Sequence, residues 1–478
     1  MSTSKNFYIT TTLPYVNSDP HIGFAAEIIR ADVIARYKRK NGFRVVFNTG
    51  VDEHGLKIYQ KAKENNISTQ KYCDIYAQKF LNLKKDLSLS YDKFIRTTDK
   101  NHVKAAQKIF LKCLENGDIY KKNYKIKYCV GCELEKTESE LINNRCSLHP
   151  NQEIELINEE NYFFRFSAYQ KKLLNLYKNN KNFIIPSWRL NEIEKFVEKG
   201  LKDFSISRLK EKMPWGVPIP NDNNHVMYVW FDALVNYIST LGWGSDSEDE
   251  FNNFWPGIQV AGKDNLRQQA AMWQAMLMSA GIKTSKQILI WGFINSNGQK
   301  MSKSLGNVVN PLDLIKKYGI DATRYYLLAE IPSFEDGDFT NEKMNIKYNA
   351  DLANGLGNLV SRVTNMIEKN NLSLKLDTEI KDKILKEKTN KSIEEFYFNK
   401  ALKIIWEKIK KNDEFLSKKK PWKLNDKQEI KEILEIISQS IMDIANILDI
   451  FMPETSEKII KHFSQEKIKK ISILFPRI

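Results

Sequence analysis

The chain has 478 residues, 42% apolar and 11% aromatic, a length that calls for about three domains with ample material for their cores. No apolar run is long enough to span a bilayer and the start, Met1-Ser2-Thr3-Ser4-Lys5, lacks a signal-peptide core, so membrane and secreted classes are excluded and a cytoplasmic protein is expected. A net charge of +15 favours an acidic partner such as nucleic acid, although lysine is abundant in motif-free stretches too, and charge alone leaves both readings open.

In chain order, residues 5–13 are β-branched and aromatic and predict a strand. A Pro-rich turn follows, and a helix begins near Gly23, so Pro20-His21-Ile22-Gly23-Phe24 sits between strand and helix. Backbone N–H groups and the helix dipole receive anions in such a place. His21 there is either a turn residue or a phosphate contact. A second strand, Phe43–Phe47, leads into Asn48-Thr49-Gly50-Val51-Asp52-Glu53-His54-Gly55. Open α/β sheets bind ligands at the carboxyl ends of strands. Asp52 could therefore meet a substrate ammonium, or merely cap the next helix. Neither a G-x-G-x-x-G nor a P-loop pattern is present in this sheet.

Near residue 116 the pattern breaks into an insertion. It carries Cys129-Val130-Gly131-Cys132, 13 intervening residues, then Cys146-Ser147-Leu148-His149. Three thiolates and an imidazole in two knuckles match one tetrahedral structural zinc with no open position. Cys73 and Cys113 fall in helical patterns and read as core thiols.

The α/β pattern resumes at Trp215–Pro220, and His225–Tyr237 reads as a strand running into a helix. Trp230, Ala233 and Tyr237 share one helical face, which is either core or the wall of a substrate pocket. Strands at Gly257–Ala261 and Gln287–Trp291 flank a helix containing Trp273, Met276 and Met278. Then comes Gly298-Gln299-Lys300-Met301-Ser302-Lys303-Ser304-Leu305-Gly306-Asn307, two lysines in a turn-rich loop suited to a polyanion. After Asp313-Leu314 a helical pattern is expected to the end. Asn358 and Arg362 lie i, i+4 opposite its apolar face, and Trp422 follows Lys418-Lys419-Lys420-Pro421, so these could read or stack unpaired bases. Strands alternating with helices, an insertion and resumed alternation predict an α/β fold: a split Rossmann-like parallel sheet with a zinc-knuckle insertion, then an all-α bundle. The expected divisions are 1–115 and 215–292 for the two halves of the sheet domain, 116–214 for the insertion, 293–345 for the lysine-loop region and 346–478 for the bundle.

His21-Ile22-Gly23-Phe24 and Lys300–Ser304, with Tyr128-Cys129-Val130-Gly131-Cys132-Glu133, Tyr228-Val229-Trp230-Phe231-Asp232-Ala233 and Lys303–Val309, resemble methionyl-tRNA synthetases over essentially the whole chain. The resemblance implies adenylation of methionine by ATP with magnesium, then transfer to the 3′ end of tRNA(Met). It implies ATP contacts from Tyr15, His21, Gly23, Lys300 and Lys303, with His21 and both lysines acting on the phosphates. It implies a methionine pocket of Leu13, Tyr15, Asp52, Trp230, Ala233, Leu234, Tyr237 and Trp273, with Asp52 on the ammonium and Arg208 steadying it. Asn358, Arg362 and Trp422 would recognise the anticodon. The end at Ile478 leads one to expect a monomer. Two positions depart from the family: Phe24 replaces the second histidine of the first signature, and Gln268-Gln269 stands where many members have Phe-His. The alternatives are an impaired paralogue that binds tRNA without charging it, and a synthetase for another amino acid: the short insertion disfavours leucine, isoleucine and valine, and metal ligands placed in the insertion disfavour cysteine.

Overall fold

Six short strands rich in Ile, Val, Phe and Thr form the parallel sheet: β1 (Asn6–Thr11), β2 (Arg44–Val51), β3 (Lys93–Arg96), β4 (Ile184–Ile185), β5 (Ile258–Gly262) and β6 (Gln287–Trp291). They lie in the order β3-β2-β1-β5-β6-β4, every pair parallel. A sheet covered on both faces buries nearly every strand residue, so its polar side chains must bond one another. Thr11 Oγ1 and Thr49 Oγ1 are 2.8 Å apart, and Asn48 Nδ2 donates to Thr10 Oγ1 at 3.0 Å. The order reverses between β1 and β5, which opens a crevice at their carboxyl ends.

The computed structural model describes residues 5–132, 134–136, 140–302 and 306–478. The chain forms two units. The first holds the chain up to Pro20, Lys38–Asn82 and Tyr91–Trp291, and thus the parallel sheet and the insertion. In the insertion, Ile119–Cys129 and Glu155–Phe164 make a long antiparallel ladder, flanked by Leu134–Lys136 and Phe204–Ser205. The strand before Tyr228, Asp222–Met227, belongs to a separate antiparallel sheet with Ser207–Leu209 and Pro218–Ile219. A two-residue connection through Asn221, at φ 61°, closes that hairpin, a local pairing that needs no crossover helix. The helix expected after it is broken into Val229–Ala233 and Asn236–Ser239.

The second unit holds His21–Tyr37, Leu83–Ser90 and Gly292–Ile478. Its helices include Pro311–Tyr318, Ile320–Ala329, Asn358–Lys369, Phe398–Lys419, Lys427–Leu448 and Pro453–Phe463. The expected all-helical course is corrected at two places. Gly337–Phe339 is a strand parallel to Ile294–Ser296, and residues 464–478 carry no helix. Gly337 and the β-favouring Phe339 fit an edge pairing that a local helix pattern does not reveal. Arg324, fully buried, joins the separate chain pieces. It bonds Asp32 Oδ2 at 2.8 Å, Leu87 O at 2.9 Å and Phe451 O at 2.8 Å. Burial alone would raise the Asp32 pKa, but Arg324 and Arg36 overcome it and hold the carboxyl below its ordinary value. Among the described residues no helix is long and apolar enough to cross a membrane.

Candidate active site and metal knuckle

In the first unit, the chain leaving β1 runs beside the chain leaving β2. Asp52 N–H donates to Pro14 O at 2.9 Å, Val16 N–H donates to Asp52 O at 3.2 Å, and Tyr15 and Asp52 form a parallel bridge. This sets Leu13 and Tyr15, both half-buried, next to a carboxylate that is only 3% exposed. Asp52 Oδ1 accepts long bonds from Thr97 Oγ1 and the His54 N–H, each 3.4 Å. Trp230, Leu234, Tyr237 and Trp273 meet in one apolar cluster, with Tyr237 and Trp273 edge to face at 5.9 Å, and Ala233 is buried on the same segment. The indole N–H groups of Trp230 and Trp273 are buried without a partner among the described residues. Arg208 lies between the rings of Tyr128 and Tyr228, at 5.0 and 4.8 Å, and donates to Ser205 Oγ and Ser207 O.

Sequence reasoning missed the group that holds this wall. Asp232, fully buried, bonds His54 Nδ1 at 2.6 Å and His102 Nε2 at 2.7 Å. One carboxylate thereby links the segment after Asp52 to the segment bearing Trp230 and Ala233. Burial alone would raise its pKa, but the two imidazoles outweigh that and hold it at about 2. The available signal was a charged residue inside the aromatic run Tyr228–Tyr237. The partner of the departing Gln269 is also defined: its amide donates to the Tyr237 hydroxyl at 2.6 Å.

The knuckle is in the same unit. Cys129 Sγ, Cys132 Sγ, Cys146 Sγ and His149 Nδ1 all lie within 4.8 Å of one another. Cys132 is 3.2 Å from His149 and 3.4 Å from Cys146, while Cys129 and Cys146 are 3.8 and 4.0 Å from His149. Those separations fit the edges of a tetrahedron around an ion bound at about 2.3 Å. A hydrogen bond from Cys132 lowers the pKa of the Cys129 thiol, so this group forms a thiolate readily. Gly131 is required by close approach, since a Cβ there would sit 2.5 Å from His149 Cγ. A metal ion can be held here by all four residues, and the structure brings together every ligand the spacing predicts.

In the second unit the two signature loops touch. The Ile22 N–H donates to Val309 O at 3.0 Å, and a Cβ on Gly23 would lie 3.8 Å from the Met301 methyl. The His21 ring folds back so that its Nδ1 accepts from the Gly23 N–H at 3.1 Å. A Cβ on Gly23 would be 2.8 Å from that ring, which is why glycine is needed there. His21 is exposed as a residue, yet desolvation by the surrounding chain lowers the imidazole pKa. Lys300 is exposed at the end of the short strand Gln299–Lys300, with its ammonium 5.2 Å from the Phe293 ring. Asn307 spans the loop, accepting from Ser302 N–H at 2.9 Å and donating to Lys300 O at 3.2 Å. Lys303 lies outside the described residues.

Elsewhere in this unit the expected base-reading residues are partly assembled. The Arg362 guanidinium is 5.5 Å from the Trp422 ring and bonds Asp413 Oδ1 at 2.5 Å. Trp422 is 49% exposed, and Asn358 is exposed one turn before Arg362.

These features are those of a class I synthetase, and residues 7–138 and 131–364 match the family model described as tRNA synthetases class I (M). A methionine–tRNA ligase of Thermotoga maritima is 41% identical over 96% of this chain and 76% of its own length, and one of Synechocystis is 41% identical over 96% and 89%. The solved Mycobacterium tuberculosis methionyl-tRNA synthetase in complex with methionyl-adenylate superposes with a TM-score of 0.91 at 36% identity, covering 96% of this chain and 94% of that one. The chain belongs to the methionine–tRNA ligase family.

Proposed function

We propose that this chain charges tRNA(Met): methionine and ATP give methionyl-adenylate and pyrophosphate, and the methionyl group then passes to the tRNA 3′ end. The first step is attack of the methionine carboxylate on the α-phosphorus, so catalysis is largely positioning and charge stabilisation. Asp52 receives the ammonium; Leu13, Tyr15, Trp230, Ala233, Leu234, Tyr237 and Trp273 enclose the side chain. His21, Lys300 and Lys303 act on the phosphates, and Tyr15 and Gly23 line the nucleotide's place. Magnesium, brought with ATP, would neutralise phosphate charge. Zinc in the knuckle is structural, since four protein ligands leave no open position. Asn358, Arg362 and Trp422 contact the anticodon. The working form in this reading is a cytoplasmic monomer.

The observation that carries the reading is the meeting of the two signature loops, Ile22 N–H on Val309 O with Met301 beside Gly23. It supports a phosphate site closed by the lysine loop over a helix N-terminus. The experiment is ATP–pyrophosphate exchange with the purified chain, offering each standard amino acid separately. Exchange with methionine alone is expected, and it would also show that Phe24 is compatible with adenylation. No exchange with any amino acid, in folded metal-loaded protein, would transfer the reading to a tRNA-binding paralogue.

A further inference from the structure

Where the insertion ladder meets the three-stranded sheet, a histidine sits between two groups that can only accept hydrogen bonds. His225, 5% exposed, places Nδ1 3.0 Å from Asp222 Oδ2 and Nε2 3.0 Å from the backbone carbonyl of Glu160. A carbonyl never donates, so Nε2 carries a hydrogen. Asp222 does not donate either. Burial alone would raise its pKa, but bonds from Lys121, the Asn224 N–H, His225 and Tyr162 hold the carboxyl well below its ordinary value. Nδ1 therefore carries a hydrogen too, and the ring that makes both bonds is the imidazolium. Around it, Asp222 Oδ2 also accepts from Lys121 Nζ at 3.0 Å and from the Tyr162 hydroxyl at 2.9 Å. The Lys121 ammonium lies 3.8 Å from the Glu160 carboxylate, and the Tyr162 ring stands edge to face with the imidazole at 5.4 Å. On the paired strand Leu209 is opposite His225, which turns Arg208 to the other face. The cluster thus joins both long strands of the ladder to the strand Asp222–Met227.

That junction bears on Arg208. Its guanidinium lies between Tyr128, near the end of the ladder strand Ile119–Cys129, and Tyr228, which follows Asp222–Met227. The two rings that hold it therefore come from the two parts that the cluster joins. Other ties nearby, Tyr162 N–H to Ser207 Oγ at 2.9 Å and Ile206 N–H to Tyr162 O at 2.8 Å, involve no titrating proton. We infer that His225 is a proton-dependent latch that sets the ladder against the sheet, and is thereby a positioning residue for Arg208. The inference rests on the assignment of Arg208 to the methionine site. As pH rises and one ring proton leaves, a nitrogen lone pair faces an acceptor at 3.0 Å and that bond is lost. The Tyr128–Arg208–Tyr228 stack then loosens, so methionine binding weakens with rising pH.

The first readout is NMR of histidine-labelled protein, with the His225 signals identified by their contact with the Tyr162 ring. Two ring N–H hydrogens are expected at the acidic end of the folded range, and one should vanish as pH rises. A single ring hydrogen throughout overturns the inference. The second readout is the KM for methionine in ATP–pyrophosphate exchange across pH. It should rise roughly tenfold, the worth of one hydrogen bond, over the interval in which the ring proton leaves, with the KM for ATP constant. His225→Gln, neutral at every pH, should begin at the raised value and lack that inflection. The substrate ammonium titrates identically in both proteins, so the difference between the two profiles is what counts. A merely structural residue would lower melting and kcat and leave the profile unchanged, and parallel profiles overturn the inference. If the variant does not fold, the wild type decides, since the KM and the ring proton must change at the same pH. A wild-type chain that activates no methionine overturns the Arg208 assignment and the positioning role with it, while the ring hydrogens still report the latch.

Discussion

Asp52, Tyr237 and Trp273 of the first unit are 3%, 2% and 0% exposed, whereas Trp422 of the second is 49% exposed and Lys300 stands at the surface. The two regions use different physics. In the first, buried polar groups are fixed by partners such as Asp232 and Gln269, so a low dielectric strengthens each bond and makes an unmade one costly. In the second, the proposed function sets exposed cations and an aromatic ring against phosphates and bases, where affinity is sensitive to salt and single contacts are weak in isolation. Changes in the first region should alter selectivity and stability. Changes in the second should alter rate or tRNA affinity and leave the fold intact.

The largest effect should come from the knuckle. Binding a structural zinc contributes about 10–16 kcal/mol in small zinc modules, so Cys146→Ser should abolish stoichiometric metal, loosen the insertion and weaken transfer to tRNA. Metal analysis and limited proteolysis read this out, and a variant with full metal content and unchanged melting would refute a structural metal.

Next is Lys300→Ala. Removing one donor to developing phosphate charge typically costs about 10²–10³ in kcat. The expected result is that loss in pyrophosphate exchange with an unchanged KM for methionine and unchanged melting. A shift confined to the methionine KM would place Lys300 with the first region instead.

Asp232 sharpens the contrast through pH. Its carboxyl has a folded pKa of about 2 against an ordinary 3.8. A depressed acid stabilises the fold above its unfolded pKa and loses that contribution as pH falls through the folded value. Stability worth roughly 2–3 kcal/mol should therefore disappear between about pH 4 and pH 2. Asp232→Asn should be less stable at neutral pH and show a flatter acid profile over that window. Parallel acid profiles for variant and wild type would exclude this linkage.

The smallest effect should be Trp422→Ala. Base stacking on an aromatic ring is worth about 1–3 kcal/mol, so the KM for tRNA should rise roughly tenfold or more while adenylate formation stays intact. Equal loss in both steps would remove Trp422 from the base-reading face.

Much of this was legible along the chain because the signals are local. The four residues suited to a metal lie in two short knuckles, four of the six parallel strands are continuous β-favouring runs, and each signature loop is a contiguous stretch with turn chemistry of its own. Asp52 could be singled out because it follows a strand directly, and Asn358 and Arg362 because i, i+4 spacing places them together on a helix. The helix expected from Tyr228 to Tyr237 was misjudged in its continuity, and Gly337–Phe339 was missed, since three residues carry too little pattern to announce a strand.

Only the tertiary structure decided which distant residues share a carboxylate or a hydrogen. Asp232 meets His54 and His102 across separations of 178 and 130 residues, and Arg324 joins Asp32 across 292. Gln269 reads in sequence as the loss of an imidazole, and its bonds to Gln259 and Tyr237 give that position a defined polar role. Residue type and local spacing determine what a side chain can do. Which partner satisfies it in a dry interior is set by packing, because burial forbids water and leaves each polar group to find its match in the fold.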